Sequence, residues 1–157
     1  MDAARQEGIF RDLAESRAEV DALLARADPA AWVNERTGRR VLDVAAHLAQ
    51  WEAFAAESLE AFSAGGEFRL PPPFEIHAVN ERVFREHRER GFAEVRAFLA
   101  ESRARLVAAA RSVPPDRWPG PVTYPWGARG SVDALLLDMR GHDRHHAGQI
   151  RRAAGPA

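Results

Sequence analysis

Apolar residues recur along this chain at intervals of three and four, the spacing that gathers them on one face of an α-helix. Ile9, Phe10, Leu13, Val20, Leu23 and Leu24 form the first stripe, and Asp28-Pro29 stops it because proline lacks an amide hydrogen. After a PAAW turn and a flexible NERTGRR stretch, Val41, Val44, Leu48, Trp51, Phe54 and Ala55 set a second helix ending near Gly65-Gly66. Leu70-Pro71-Pro72-Pro73 cannot be helical and is expected to form an extended crossover. A third helix begins just beyond it. Ile76, Val79, Asn80, Val83, Val95, Phe98, Leu99 and Leu106 mark one side, Gly91 is expected to bend it, and Pro114-Pro115 ends it. The loop PPDRWPGPVTYPWGARG follows, and loops of that length inside compact domains often carry function or cover a site. Ser131 then caps a fourth helix with its stripe at Val132, Leu135, Leu136, Met139 and Ile150, and the tail AAGPA is expected to fray. No segment alternates with period two, so no strand is expected, and none repeats. Four helices with one apolar face each are jointly satisfied by an all-α, antiparallel four-helix bundle with one longer crossover, a single domain over residues 1–157.

Composition narrows what such a bundle does. The 22 basic side chains, all arginine, and the 23 acidic ones nearly cancel and are interspersed, which argues against a nucleic-acid partner. No stretch approaches the roughly 20 apolar residues of a membrane span, so no membrane partner is expected. The opening MDAARQEGIF lacks the basic start and apolar run of a secretion signal, and the expected location is cytoplasmic. Cysteine is absent, which removes disulfides, thiolate nucleophiles and thiolate metal sites. A metal here must be held by histidines and carboxylates.

Six histidines are available, and helical geometry sorts them. At roughly 100° per residue, His142 and His146 differ by about 40°, and both fall within roughly 60° of the fourth stripe. His145 falls about 120° from its centre by the same arithmetic, toward solvent or a rim. His47 lies between Val44 and Leu48 on one side and Trp51 on the other, again on a buried face. An inward histidine is often a hydrogen-bonded core residue. A His-x-x-x-His pair one turn apart with a third imidazole from a facing helix is also a three-ligand metal site, and spacing alone leaves both readings open.

The segments VLDVAAHLAQWE and GHDRHHAGQIRR resemble the two metal-binding segments of DinB-like proteins, the family of damage-inducible and thiol-transferase-type bundles. In that family one histidine comes from the second helix and a His-x-x-x-His pair from the last, which on this sequence are His47, His142 and His146. The middle segment FEIHAVNERVFREHRERGFAEVRAFL resembles a branch related to a DNA-protecting cyclopropane hydrolase. Arg39-Arg40 departs from the pattern, where relatives often carry Trp followed by Ser or Thr, and this bears on how the second helix is capped. Other metal motifs fit less well. His142-Asp143-x-x-His146 imitates the His-Glu-x-x-His of zinc peptidases, but Asp143 is expected off the inward face. The Glu-x-x-His pairs of di-iron bundles are missing, as is the later aspartate of His-Asp phosphohydrolases.

Three neutral imidazoles leave a divalent ion its full charge and an open position, the pattern of catalytic sites. The expected cofactor is one divalent ion, zinc or nickel before iron or manganese, since imidazole suits several. Activated water gives a hydrolase. The resemblance to thiol-transferase members implies instead a low-molecular-weight thiol as co-substrate, and either nucleophile attacks a small electrophilic substrate. The alternative is a non-catalytic metal- or ligand-binding bundle, and a homodimer is the expected assembly. Asn80, on the inward side of the third helix, is the candidate catalytic side chain, because a buried amide must find partners and can hold water or substrate. It reads equally as a structural inter-helix bond. Tyr124 and Trp126 shape the pocket mouth or pack the loop, Arg129 pairs with an acidic substrate or lies on the surface, and Glu52 sits beside the site or in solvent. Asp43, ahead of Asp138, is the expected acceptor for an imidazole N–H.

Overall fold

The computed structural model describes residues 3–71 and 74–155. Pro72 and Pro73 of the expected crossover, and the last two residues of the tail, lie outside them. The first stripe forms helix α1 (Ala3–Arg26), with all six of its apolar markers buried. Helix α2 (Val41–Ser63) buries residues all round its circumference and is the central element; it packs most extensively on α4, and also on α5 and α3. Helix α5 (Val132–Ala154) starts at Ser131, whose hydroxyl accepts from the Ala134 amide, and it packs on α1 and α2.

The expected third helix is two. Helix α3 (Ile76–His87) begins at Glu75, whose carboxylate accepts from the amides of His77 and Ala78, and helix α4 (Phe92–Ser112) begins at Gly91. Gly91 has an extended backbone, so the chain breaks there and does not merely bend. Ile76 is solvent-exposed, since α3 turns only Val79, Val83 and His87 into the protein. Four long helices, α1, α2, α4 and α5, make an all-α bundle, with α3 laid on α2 in the crossover between α2 and α4.

Two short antiparallel hairpins interrupt the helices, contrary to the expectation of no strands. The first, β1 (Trp32–Asn34) with β2 (Arg39–Arg40), occupies the stretch expected to be flexible. Asn34 caps a single 3₁₀ turn between the strands, and Gly38 closes it at φ +63°, a left-handed conformation that favours glycine. The second, β3 (Val122–Thr123) with β4 (Arg129–Gly130), orders the long loop. A side chain at Gly130 would collide with the Tyr124 hydroxyl, so the close packing of that ring requires glycine. Strands of two and three residues are too short to show alternation in sequence.

The core has two large apolar clusters, one around Leu13, Leu59, Leu106 and Leu136, the other around Leu24, Leu48, Leu99 and Ile150. Between them four charged side chains are almost wholly enclosed: Arg17 and Arg103 at 6% and 8% exposure, Glu52 and Asp143 at 1% and 0%. Arg17 Nη2 lies 2.6 Å from Glu52 Oε1 and 2.9 Å from Asp143 Oδ1, and Arg103 bonds both carboxylates, with Nη2 2.6 Å from Asp143 Oδ2. Ser16 donates to Asp143 and Ser102 to Glu52. Glu52 therefore lies neither beside the site nor in solvent, and Asp143, expected off the inward face, is instead fully buried, because Ser16 and Arg17 of α1 and Arg103 of α4 hold its carboxylate in the core on a different side of α5 from the histidines.

Candidate metal centre

His47 lies in the second turn of α2, and His142 and His146 lie on successive turns of α5. Packing of α2 on α5 brings the three rings together. His47 Nε2 is 2.9 Å from His142 Nε2, which is 3.0 Å from His146 Nε2, and one nitrogen of each ring lies within 4.8 Å of the others. Each ring keeps some solvent exposure.

The proton count decides what this convergence is suited to. His146 Nδ1 is 2.7 Å from Gln149 Oε1, a carbonyl that only accepts, so Nδ1 carries the hydrogen and Nε2 presents a lone pair. The Gln149 amide nitrogen, 3.2 Å from His145 Nε2, donates to that ring. His142 Nε2 sits between two neighbours. With neutral rings one hydrogen serves one of the two short contacts well, and the other is left without one. One divalent cation would take up all three nitrogens at once. The donor set therefore fits a metal.

The rings are also in their ligating state. Burial is the main cause that pushes His47 down to about 3 and His146 down to about 4, and it holds His142 well below the ordinary histidine range. Repulsion among the imidazoles deepens the shift at His47 and His142, while the Gln149 hydrogen bond opposes it at His146. Neutral imidazole is what a metal requires.

Two lobes of open space meet at the cluster. The larger, about 420 Å³, is bordered by all three histidines with Trp51, Asn80 and Asp138. The smaller, about 200 Å³, runs toward the first hairpin past Asn34, Arg39 and Phe84. His47, His146 and Asn80 line both. Asn80 Oδ1 accepts from Trp51 Nε1 at 3.0 Å, which fixes the amide at the junction.

Other expected helpers fall elsewhere. Asp43 does not accept from an imidazole: its carboxylate takes the Arg40 amide at 2.8 Å and the Arg40 guanidinium at 3.0 Å. An ion pair thus caps α2 where a Ser or Thr cap was the familiar pattern. Asp138 borders the larger lobe, and burial raises its pKa. Tyr124 donates to the Ser131 carbonyl at 2.8 Å and packs on Trp126, whose ring centre is 6.3 Å from that of Trp51; neither borders a lobe, and both read as loop packing. Arg129 is exposed, 3.6 Å from Glu67, and lines neither lobe. His145 stays exposed at the rim of the larger lobe. Gln149 is the partner that the sequence reading missed, although its place three residues after His146 puts it on the same helix face.

No curated protein sequence matches this chain significantly. A structural likeness is found to a crystal structure of a histidine-to-alanine mutant of mycothiol-dependent maleylpyruvate isomerase, with a TM-score of 0.67 at 19% identity. It covers 90% of this chain and 60% of the isomerase, so this chain spans well under the length of that protein, and the likeness concerns the fold. The sequence profile of the DinB superfamily matches residues 12–150, a span that holds all three histidines, the whole of α2 and α4 and most of α1 and α5. The chain belongs to the DinB superfamily.

Proposed function

We propose that the protein is a metal-dependent enzyme in which His47, His142 and His146 hold one divalent ion beside a small electrophilic substrate, with water or a low-molecular-weight thiol as nucleophile. The observation that carries this reading is the convergence of three Nε2 atoms with too few hydrogens to satisfy one another, at the meeting point of two cavities. When bound, such an ion supplies a Lewis acid that makes water or a thiol available as its anion near neutral pH. The chain's own groups do the rest. Gln149 fixes the His146 tautomer, Asn80 presents its amide nitrogen at the junction of the lobes, and Trp51 walls the larger lobe. That lobe suits a small molecule. The mycothiol dependence named for the structural neighbour supports the thiol arm, and with no cysteine in the chain the thiol must come from outside.

Metal analysis of protein purified without a histidine tag is expected to find one zinc, nickel, iron or manganese ion per chain. The loaded protein, assayed against an electrophile panel with mycothiol, bacillithiol, glutathione and water, is expected to turn over with one nucleophile. Turnover with none overturns the enzymatic reading and leaves a metal-binding bundle.

A further inference from the structure

The smaller lobe has a chemical character of its own. Its polar lining is short of available acceptors. The Asn80 carbonyl is taken by Trp51, the Asn34 carbonyl by the Thr37 amide, the Asp43 carboxylate by Arg40, and the Gln149 carbonyl by His146. Each of those acceptors already holds a donor, whereas two donors in the lining are unengaged. The amide nitrogens of Asn34 and Asn80 have no hydrogen-bond partner among the described residues. Arg39 adds a guanidinium whose Cζ lies over the Phe84 ring, 3.6 Å from its centre, and which bonds the Thr37 carbonyl and exposed Glu81. Those two bonds use part of its five-hydrogen fork. Contact with Phe84 and the bonds to Thr37 and Glu81 hold the fork in place, and β2 anchors its backbone. Val33, Val44 and Phe84 make the remaining wall apolar.

A fixed guanidinium, two amide donors and an apolar wall suit an organic anion, and the fork geometry suits a carboxylate. We propose that the smaller lobe binds the carboxylate of a small organic acid, with Arg39 as the charged partner and Asn34 and Asn80 as flanking donors. His47 and His146 border the same lobe, so an acid seated there presents its other end to the histidine cluster. That this acid is a substrate rests on reading the cluster as a metal centre; that the lobe holds a carboxylate does not.

Benzoate and its neutral isostere benzamide test this by calorimetry on the full chain, metal-free and zinc-loaded. Benzoate is expected to bind both forms at least about tenfold more tightly than benzamide, the scale of one charge-assisted contact. Arg39→Gln is expected to abolish that preference. Glu81→Gln, which removes the competing carboxylate without touching the lobe wall, is expected to tighten benzoate binding, and circular dichroism checks that both variants stay helical. Equal binding of benzoate and benzamide overturns the proposal, as does a preference that survives Arg39→Gln. Benzoate binding confined to the zinc-loaded protein also overturns it, because the ion and not Arg39 then holds the acid. Loss of zinc binding with the preference intact in the metal-free protein sinks the metal centre and leaves the carboxylate site standing.

Discussion

Two polar clusters share this bundle, and neighbouring residues on α5 belong to different ones. His142 is one of the three clustered histidines, and Asp143 makes up the buried quartet with Arg17, Glu52 and Arg103. The quartet is nearly closed, with Arg17 Nε the one buried polar atom of its four side chains left without a hydrogen-bond partner. Two guanidinium forks meet two carboxylates, two serine hydroxyls take up spare lone pairs, and charge sums to zero. The histidine cluster is open: like groups face like groups, hydrogens are too few, and cavities lie on two sides. Burial alone does not distinguish a structural polar cluster from a functional one. Whether its members complete one another does.

The sharpest way to break this contrast is to remove one member of each. Asp143→Ala leaves two arginines competing for Glu52 in an enclosed space, and a loss of about 3–5 kcal/mol in urea unfolding is expected. A loss under about 1 kcal/mol would mean the quartet is not the closed unit described. His142→Ala is expected to act the other way, reducing bound metal from one ion per chain to a small fraction by elemental analysis, with metal-free stability changed much less than by Asp143→Ala. Unchanged metal content in both His142→Ala and His47→Ala would remove the basis for the metal centre.

A smaller effect extends the rule to a third buried polar group. Tyr124, the sole tyrosine, donates its hydroxyl hydrogen to the Ser131 carbonyl, and burial pushes its pKa up to about 12, with Asp138 and Asp133 adding repulsion. The folded value lies above the ordinary tyrosine value of about 10, so the unfolded chain releases its proton first. Its contribution to stability is complete below pH 10 and is lost as pH rises toward 12. Near-ultraviolet difference spectra read this single phenol directly. Ionisation of the folded protein at an ordinary tyrosine pKa would contradict the closed environment, and Tyr124→Phe is expected to flatten the alkaline limb of the stability profile.

Much of this was legible in sequence where the signal is local. The stripes on α1, α2 and α5 needed only the 3.6-residue period, and the angular positions of His47, His142 and His146 selected the rings that the structure brings together. Signals that depend on another helix were not legible. Glu52 reads as a solvent-facing helix glutamate until Arg17 of α1 and Arg103 of α4 are seen against it. Asp43 lies one turn before His47 and looked like its acceptor, yet Arg40 satisfies it first through both amide and guanidinium. Gly91 looked like a bend because apolar spacing continues on both sides, and only the backbone reveals two helices.

The short helix α3 sets one wall of both lobes through Asn80 while turning few residues inward and resting chiefly on α2. That wall is thereby separable from the helices that carry the histidines. Substitutions at Ile76 and Phe84, which line the lobes from α3, can reshape what enters without disturbing the helices that hold the three rings, so selectivity can drift in evolution while the reactive centre stays fixed.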